Sequence, residues 1–485
     1  MIKLFFSFFA LVTTTAIFGQ SLVGDWEGAA IVQGTELPII FHLSKYNVDN
    51  YGATFDSPKQ QAFGIACSDV IVKEDSVIIL IPVIKGSYAG KLNNNKREIT
   101  GNMYQSGAVL ALDLKKTSDV STVKEMKRPQ TPKPPFSYKS EDIIYANADK
   151  SIQFGATFTV PLPEPGVDYF RAPIYPTVIL ISGSGKQDRD ESIFGHKPFA
   201  VIADHLTRQG IAVLRVDDRG MGKTTGDFNK STTSDFAEDV AAGIAYLKTR
   251  TDVDVDHIGL IGHSEGGLIA PMVASQRNDV TFVVLLAGPG IPILEMMEQQ
   301  SADVMSSNGL EKSDIDQYRP LYKNTVTAIV SAKDSATASK LVFDIFKKWQ
   351  VGKSPLMVKN TTGVESEKDI TAFANAFIRD LMNPWFKHFM KMNPQDYLSK
   401  TNCAVLALNG EKDIQVAAKY NLAGIQSTLE KNKNKNFKVL EIPGLNHLFQ
   451  HCKTCTVEEY GGLEESFDTA TLELIANWIK TESTK

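Results

Sequence analysis

The stretch that most constrains the fold is IGLIGHSEGGLIAP, residues 258–271. An apolar run typical of a buried strand ends in GHSEG, centred on Ser264, and an apolar, alanine-containing run typical of a helix follows. A serine between two glycines at such a junction indicates a strained turn that pushes the hydroxyl outward, at a helix N-terminus. The stretch therefore predicts a nucleophile, although a tight turn with an idle serine is the alternative.

The surrounding sequence alternates between strand and helix patterns from residue 141 onward. PTVILISGSG, IAVLRVDDRG, HIGLIGHS and TFVVLLAGPG have the character of short buried strands, and amphipathic helical patterns separate them. This alternation predicts a mostly parallel sheet with helices on both faces. Residues 291–400 interrupt it with helical patterns, and an insertion of this size predicts a cap over the ligand end of the sheet.

The N-terminal part has a different pattern of apolar and turn residues. Residues 21–116 contain short apolar segments separated by turn residues, with no helical period, and predict a small all-β barrel or sandwich. Residues 117–140 include four prolines between 129 and 135 and predict a semi-rigid linker or a strap across a domain surface. The alternation of strand and helix patterns is therefore confined to residues 141–485.

Residues 1–20, MIKLFFSFFALVTTTAIFGQ, place one lysine before an apolar run, as a secretory signal peptide does. A buried N-terminal strand or a short membrane anchor is the alternative. The net charge of −5 gives no basic face for nucleic acid and no polybasic membrane patch. No later apolar run approaches the length of a membrane span. We expect a secreted or periplasmic protein that does not span a membrane.

A serine hydroxyl needs a base, and this kind of turn is served by partners in the chain order Ser, acid, His. His447 lies between a predicted strand and the last helix, on a loop that can reach the serine. His388 lies in an aromatic-rich cap helix and is expected to pack or to line the pocket, and His451 is expected at the surface. For the acid we choose Asp413, on the loop after CAVLALNG, over its solvated neighbour Glu411.

The oxyanion hole requires backbone N–H donors beside the serine. We predict the amide of Glu265 and, from the loop ISGSG, the amide of Ser184, although a plain glycine-rich turn fits the same loop. The substrate pocket around them is expected to include Gly183, Gly185, Met296 and Trp385, with Met297, Phe386 and Phe389 as further candidates. An apolar stripe on a cap helix is more often core packing, which is the alternative for those cap residues.

Together these segments resemble the α/β-hydrolases of the serine aminopeptidase and esterase type over residues 141–485. The resemblance rests on ISGSGKQDRDE, VLRVDDRGMGKTTGDF, IGLIGHSEGGLIAP, LNGEKDIQV and GLNHLF, in this order. It implies an α/β-hydrolase fold, a Ser264–His447–Asp413 triad, and hydrolysis with neither cofactor nor metal. The GDWEG motif at residues 24–28 resembles the start of lipocalin-like β modules that precede some secreted hydrolases.

Three functions remain open at this stage. The first is hydrolysis of carboxylic esters with small or medium acyl groups. The second is an aminopeptidase whose substrate ammonium is held by acidic residues, with Asp188, Asp190, Glu191 and Glu265 as candidates. A surface acidic cluster is the commoner explanation of these four residues. The third is a binding protein with a vestigial hydrolase domain, in which the β domain takes a lipid or glycan. A lyase or acyltransferase on the same fold is a further alternative.

The sequence contains four cysteines. Cys452 and Cys455 form a C-x-x-C pair for which we expect a local disulfide or free thiols, with a redox motif or half a zinc site as alternatives. Cys67 and Cys403 are expected in the core, the usual place of a free cysteine.

Overall fold

The computed structural model describes residues 22–32, 35–45, 51–60, 62–67, 69–81, 84, 86–105, 108–119, 127–163, 166 and 173–484. The signal peptide predicted for residues 1–20 lies outside these described residues. The chain divides into two units, residues 1–59 with 64–124, and residues 60–63 with 125–485. Within the described part, no helix has the length and apolar character needed to cross a membrane.

Unit 1 is an antiparallel barrel. Its described strands are β1 (Gly24–Val32), β2 (Thr35–Lys45), β3 (Tyr51–Ser57), β4 (Ala62–Ala66), β5 (Asp69–Lys73), β6 (Ser76–Ile81), β7 (Gly86–Leu92), β8 (Glu98–Gln105), β9 (Ala108–Ala111) and β10 (Leu114–Ser118). The ring runs β1-β2-β3-β5-β6-β7-β8 and closes through β10, which pairs with both β8 and β1. Strands β4 and β9 pair with β3 and β8 beside this ring. The lipocalin-like barrel predicted from the sequence is therefore confirmed.

Large side chains fill the interior of this barrel. Trp26, Phe41, Ile79 and Tyr88 are all fully buried. Along β6 buried positions, among them Ile79, alternate with less buried ones, as the period of a strand requires. The Phe41 ring lies 5.4 Å from that of Phe55 and 5.5 Å from that of Tyr88, centroid to centroid. This packing gives unit 1 its own hydrophobic core.

Unit 2 is built on one sheet. Its strands are β11 (Tyr138–Ala146), β12 (Gln153–Pro161), β13 (Tyr175–Ile181), β14 (Ala212–Val216), β15 (Val253–His263), β16 (Phe282–Leu286), β17 (Ala404–Gly410) and β18 (Phe437–Ile442). They lie in the order β11-β12-β14-β13-β15-β16-β17-β18. The β11–β12 hairpin and the β12–β14 pair are antiparallel, and every later pair is parallel. This is the strand order of an α/β-hydrolase, as predicted.

Helices cover both faces of the sheet. On one face lie α1 (Pro198–Arg208) and α12 (Thr469–Glu482), and on the other α2 (Thr233–Leu247), α3 (Gly266–Ala274) and α11 (Ala418–Lys431). Along β13 the side chains alternate between the two cores: Val178 and Leu180 enter the first, Ile179 and Ile181 the second. A sheet buried on both faces explains why its strands are continuous apolar runs.

The cap is the helical insertion between β16 and β17. It contains α4 (Ile293–Ser307), α5 (Lys312–Ser331), α6 (Ser335–Trp349), α7 (Pro355–Thr362), α8 (Glu367–Leu381) and α9 (Pro384–Phe389), and the short α10 (Gln395–Leu398) leads back to the sheet. Its helices pack through small cores of their own, for example Leu321 and Phe346 with Ile370. The helical insertion predicted for residues 291–400 is present.

The described part of the proline-rich segment lies against unit 2, to which it belongs. The guanidinium of Arg128 donates hydrogen bonds to the carbonyl oxygens of Phe194, Gly461 and Leu463 at 2.6–2.9 Å. The Gln130 amide group also bonds the backbone near the start of α12. Of the two predicted forms, linker and strap, residues 127–137 adopt the strap.

Candidate active site

Ser264 sits on the turn between β15 and α3 with a φ of 52°, in the left-handed region that costs an ordinary residue about 1–3 kcal/mol. Its amide donates to the carbonyl oxygen of Leu286 at 2.9 Å, which ties the turn to the neighbouring strand. The flanking glycines are required by space. A Cβ on Gly262 would stand 1.9 Å from the carbonyl oxygen of Gly266, and one on Gly266 would stand 2.1 Å from that of Ile181.

His447 and Asp413 come together at the end of the sheet that carries the serine. Nδ1 of His447 lies 2.7 Å from Oδ2 of Asp413, and both side chains are buried. The other carboxylate oxygen accepts the amides of Gln415 and Val416 at 2.8 and 2.9 Å, which fixes its orientation. With Nδ1 bound to the acid, Nε2 is the ring nitrogen left for the serine, and His447 borders the same cavity as Ser264.

The other two histidines considered from the sequence lie where they were expected. His388 in the cap places Nε2 2.9 Å from the hydroxyl of Ser234 on α2 and so joins the cap to the sheet domain. His451 is exposed, and its Nδ1 lies 3.0 Å from a carboxylate oxygen of Glu465. Neither borders the cavity that contains Ser264 and His447.

The two predicted oxyanion donors also border this cavity. The amides of Ser184 and Glu265 have no protein acceptor among the described residues, and Glu265 is the N-cap residue of helix α3, so both N–H groups remain available to a substrate oxygen. At Gly183 a Cβ would stand 3.1 Å from that of Ser264, so a larger residue would crowd the nucleophile.

Three carboxyl groups, of which those of Glu191 and Glu265 are buried, hold three consecutive residues of the loop that carries Ser184. The side chain of residue 182 donates to Asp218 at 2.9 Å, the amide of residue 183 to Glu191 at 2.7 Å, and the hydroxyl of residue 184 to Glu265 at 2.8 Å. Burial raises the pKa of Asp218 to about 7 and also raises the pKa of Glu265. The loop is thus held by side chains whose role the sequence did not reveal.

A second histidine–acid pair lies beside His447 and Asp413. Nδ1 of His263 is 3.0 Å from Oε1 of Glu191, and Nε2 donates to the backbone oxygen of His447 at 3.1 Å. Burial lowers the pKa of His263, but the nearby Glu191 carboxylate outweighs this and the net shift is upward. The pair braces both the oxyanion loop and the loop of His447. Sequence reasoning missed it, because Glu191 and His263 lie 72 residues apart.

The cavity has a volume of about 200 Å³. Glu191, His263 and Glu265 border it beside the two serines and His447. The rest of its wall is apolar apart from three glutamine side chains: Ile193, Pro289, Met296, Met297, Trp385, Phe389, Val416, Leu448, Gln187, Gln300 and Gln415. The predicted pocket residues Gly183, Met296 and Trp385 border it. Gly185 does not: the loop turns at this glycine, with a φ of 101°, and Gly185 borders a neighbouring cavity of about 50 Å³ instead. Phe386 is packed in the core.

The acidic residues considered for an ammonium group are engaged within the protein. A carboxylate oxygen of Asp188 accepts the amides of residues 190 and 192, and Asp190 forms an ion pair with the buried Arg215. Glu191 binds the Gly183 amide and His263, and Glu265 accepts three side-chain donors. The cavity wall therefore offers, among the described residues, no carboxylate without such partners.

Cys452 and Cys455 form a disulfide shortly after His447. The carboxylate of Glu459 accepts the backbone amides of residues 453–455 and holds the same loop. Of the expectations for C-x-x-C, the local disulfide is the one observed. Cys67 and Cys403 are free and partly buried, and burial raises the pKa of each thiol to about 12.

Comparison with known proteins places this arrangement in context. Residues 197–313 match the family model described as "Serine aminopeptidase, S33". Over 126 residues the chain is 35% identical to Esterase EstD of Thermotoga maritima, covering 26% of this chain and 30% of that protein. Over 121 residues it is 31% identical to human Dipeptidyl peptidase 8, covering 24% of this chain and 13% of that protein. The chain thus spans less than a third of the length of these curated relatives.

Solved structures of similar proteins include an esterase of Pyrococcus furiosus, with 16% identity and a TM-score of 0.41, covering 74% of this chain and 98% of that chain. Another is the α/β hydrolase GrgF of a Penicillium species, with 15% identity and a TM-score of 0.41, covering 72% of this chain and 100% of that chain.

Proposed function

We propose that this chain, an α/β-hydrolase of the serine aminopeptidase and esterase type, is a serine hydrolase that cleaves carboxylic esters of small or medium acyl groups. One observation carries the proposal. Ser264, on its strained turn, borders the same cavity as His447, and Nδ1 of that histidine is bound to the fixed carboxylate of Asp413. A positioned serine, base and orienting acid are the groups that acyl transfer requires.

The reaction follows from these positions. His447 accepts the proton of Ser264 through Nε2 as the hydroxyl oxygen attacks the ester carbonyl carbon. Asp413 holds the imidazole and stabilises its cation, and the amides of Ser184 and Glu265 bind the oxyanion of the tetrahedral intermediate. Return of the proton to the alkoxy group releases the alcohol and leaves an acyl-enzyme. Water, activated by the same histidine, then releases the carboxylic acid.

The cavity favours an ester over a peptide N-terminus. Its wall is mainly apolar, its volume is about 200 Å³, and the acidic groups along it are engaged with protein donors. A free ammonium group would meet, besides apolar side chains and three glutamines, only the carboxylates of Glu191 and Glu265 among the described residues, and both already accept hydrogen bonds from protein donors. A small or medium acyl chain would bury its carbon atoms there. The aminopeptidase function is the weaker of the two for this reason.

We also propose that the protein is exported. Residues 1–20 carry the pattern of a signal peptide, and the Cys452–Cys455 disulfide suits an oxidising compartment such as the periplasm or the exterior. Detection of a mature chain beginning after residue 20 in the periplasmic or extracellular fraction would support export. An uncleaved chain confined to the cytosol would contradict it.

The test of the catalytic proposal compares the intact protein with Ser264→Ala on p-nitrophenyl esters of graded acyl length and on aminoacyl p-nitroanilides. We expect ester turnover that Ser264→Ala lowers by roughly 10⁴- to 10⁶-fold, as loss of a nucleophile does. Ser307→Ala, at an exposed serine of the cap, is the control and should behave as the intact protein does. Ester turnover that survives in Ser264→Ala would refute the proposal, and a dependence on anilides with a free amino group would favour the peptidase.

A further inference from the structure

The side chain of Glu265 makes contacts that its proposed oxyanion role, through the backbone alone, does not explain. Its carboxylate is almost fully buried and accepts hydrogen bonds from three side chains. The hydroxyl of Ser184 donates at 2.8 Å, the hydroxyl of Thr233 at 2.7 Å, and Nε1 of Trp385 at 2.8 and 3.1 Å to the two oxygens. In the described part of the chain, no lysine or arginine forms an ion pair with this carboxylate.

A buried carboxyl group of this kind binds its donors firmly. Removing a carboxylate from water is costly unless hydrogen bonds replace the lost hydration, and burial accordingly raises the pKa of Glu265. Hydrogen bonds to an ionised oxygen are roughly twice as strong as those between neutral groups. Loss of one donor therefore leaves a poorly satisfied buried acid, and the remaining contacts rearrange.

The three donors come from three parts of unit 2. Ser184 belongs to the loop after β13, Thr233 begins helix α2, and Trp385 belongs to helix α9 of the cap. The indole of Trp385 stacks on Phe389 with 5.1 Å between ring centroids, and both rings border the cavity. A single carboxylate thus joins the wall of the acyl pocket to the loop that supplies the second oxyanion amide.

We propose that Glu265 is a positioning residue that couples the cap to the oxyanion hole. When Trp385 is docked on the carboxylate, the hydroxyl of Ser184 is held as well, and the amides of Ser184 and Glu265 keep the spacing that an oxyanion needs. An acyl group that displaces the indole would disturb this spacing. Acyl size is then selected in the chemical step, as a fall in kcat, and not only in binding. This inference rests on the proposed function, which assigns the two amides.

The deciding variant is Trp385→Phe, which keeps an aromatic wall but removes the N–H donor. Its matched control is Trp349→Phe, also in the cap, whose Nε1 donates to the carbonyl oxygen of Gln317 away from the cavity. With a short acyl ester we expect Trp385→Phe to lower kcat roughly tenfold, less than the 10²- to 10³-fold loss on removal of a whole oxyanion donor. KM should change little, and Trp349→Phe should match the intact protein.

The affinity for a trifluoromethyl ketone distinguishes the two roles of Trp385, because this affinity would not change if Trp385 only lined the pocket. Its adduct with the serine carries an oxyanion, so its affinity reports the oxyanion hole directly. We expect the affinity to fall in step with kcat in Trp385→Phe and in Ser184→Ala. The double variant should lose less than the product of the two single losses, since both act through Glu265. Glu265→Gln, which retains an acceptor oxygen, should keep more activity than Glu265→Ala.

The inference is overturned if Trp385→Phe alters KM alone, with kcat and ketone affinity equal to those of Trp349→Phe. It is also overturned if the losses in the double variant multiply independently. If Trp385→Phe and Trp349→Phe have the same melting temperature, misfolding is excluded as the cause of any loss of activity in Trp385→Phe. Ser264→Ala in the same assay separates the two proposals: turnover without Ser264 would refute the proposed function, whereas an inactive Ser264→Ala with an unaffected Trp385→Phe would refute only the coupling.

Discussion

At the residue scale, the orientation of His447 depends on one carboxylate. Asp413→Asn would offer an amide that can donate to Nδ1 and so favour the wrong tautomer of the imidazole, and we expect kcat to fall by about 10⁴-fold. Glu411→Gln is the matched control, because Glu411 is an exposed acid of the same loop. Steady-state hydrolysis of a p-nitrophenyl ester measures both. An Asp413→Asn variant as active as Glu411→Gln would remove Asp413 from the triad.

A second residue-scale prediction concerns Asp218, whose pKa burial raises from an ordinary 3.8 to about 7. Between these two values the folded protein keeps a proton that the unfolded chain has lost. The stabilisation is therefore complete below about pH 4 and is lost as the pH rises through 7, by up to about 4 kcal/mol. Asp218→Asn cannot titrate. We expect its melting temperature to fall less between pH 5 and pH 8 than that of the intact protein.

Asp316→Asn is the control for this measurement, because Asp316 is exposed on a cap helix and pairs with Lys312 at the surface. It should show the same fall between pH 5 and pH 8 as the intact protein. If Asp218→Asn also shows that full fall, the pH dependence arises from other groups, and the raised pKa of Asp218 is refuted.

At the element scale, two features fix the loop after His447: a disulfide and a hydrogen-bond acceptor, Glu459. The Cys452–Cys455 disulfide closes a very short loop, for which the chain-entropy model gives roughly 2 kcal/mol, and Glu459 holds three amides of the same loop. We expect the double substitution of both cysteines by serine to lower the melting temperature while kcat falls less than about tenfold, since Glu459 still fixes the loop. Substituting Cys67 by serine is the control. A complete loss of turnover in the double variant would contradict the prediction that Glu459 fixes the loop without the disulfide.

The element scale also shows what the sequence could and could not predict. The strands, the serine turn and the loops of Asp413 and His447 were predictable, because periodicity and short motifs are local signals. The side-chain contacts of Glu265 were not. Its bond to Trp385 joins residues 120 positions apart, and only the placement of the cap brings them together. Gly185 was misplaced for a similar reason, since the direction in which a loop turns depends on what packs against it.

At the scale of the whole molecule, every group that we assign to catalysis lies in unit 2, residues 60–63 and 125–485. The triad, the two amides and the cap all fall between residues 182 and 447, and unit 1 has a closed barrel and a core of its own. We therefore expect a chain beginning at residue 125 to fold and to hydrolyse soluble p-nitrophenyl esters with a kcat/KM within about twofold of the full chain. Introducing Ser264→Ala into the shortened chain should abolish this turnover.

The same deletion tests what unit 1 contributes. Because aromatic side chains fill the described interior of the barrel, a lipid or glycan partner, which we propose for this unit, would bind its outer surface or rim. Retention of the full chain on lipid vesicles or an insoluble polysaccharide, lost in the shortened chain while ester turnover persists, would support a targeting role. A shortened chain that melts cooperatively but hydrolyses soluble esters many times more slowly would contradict the separation of the two units, because the barrel would then be needed for the chemistry itself.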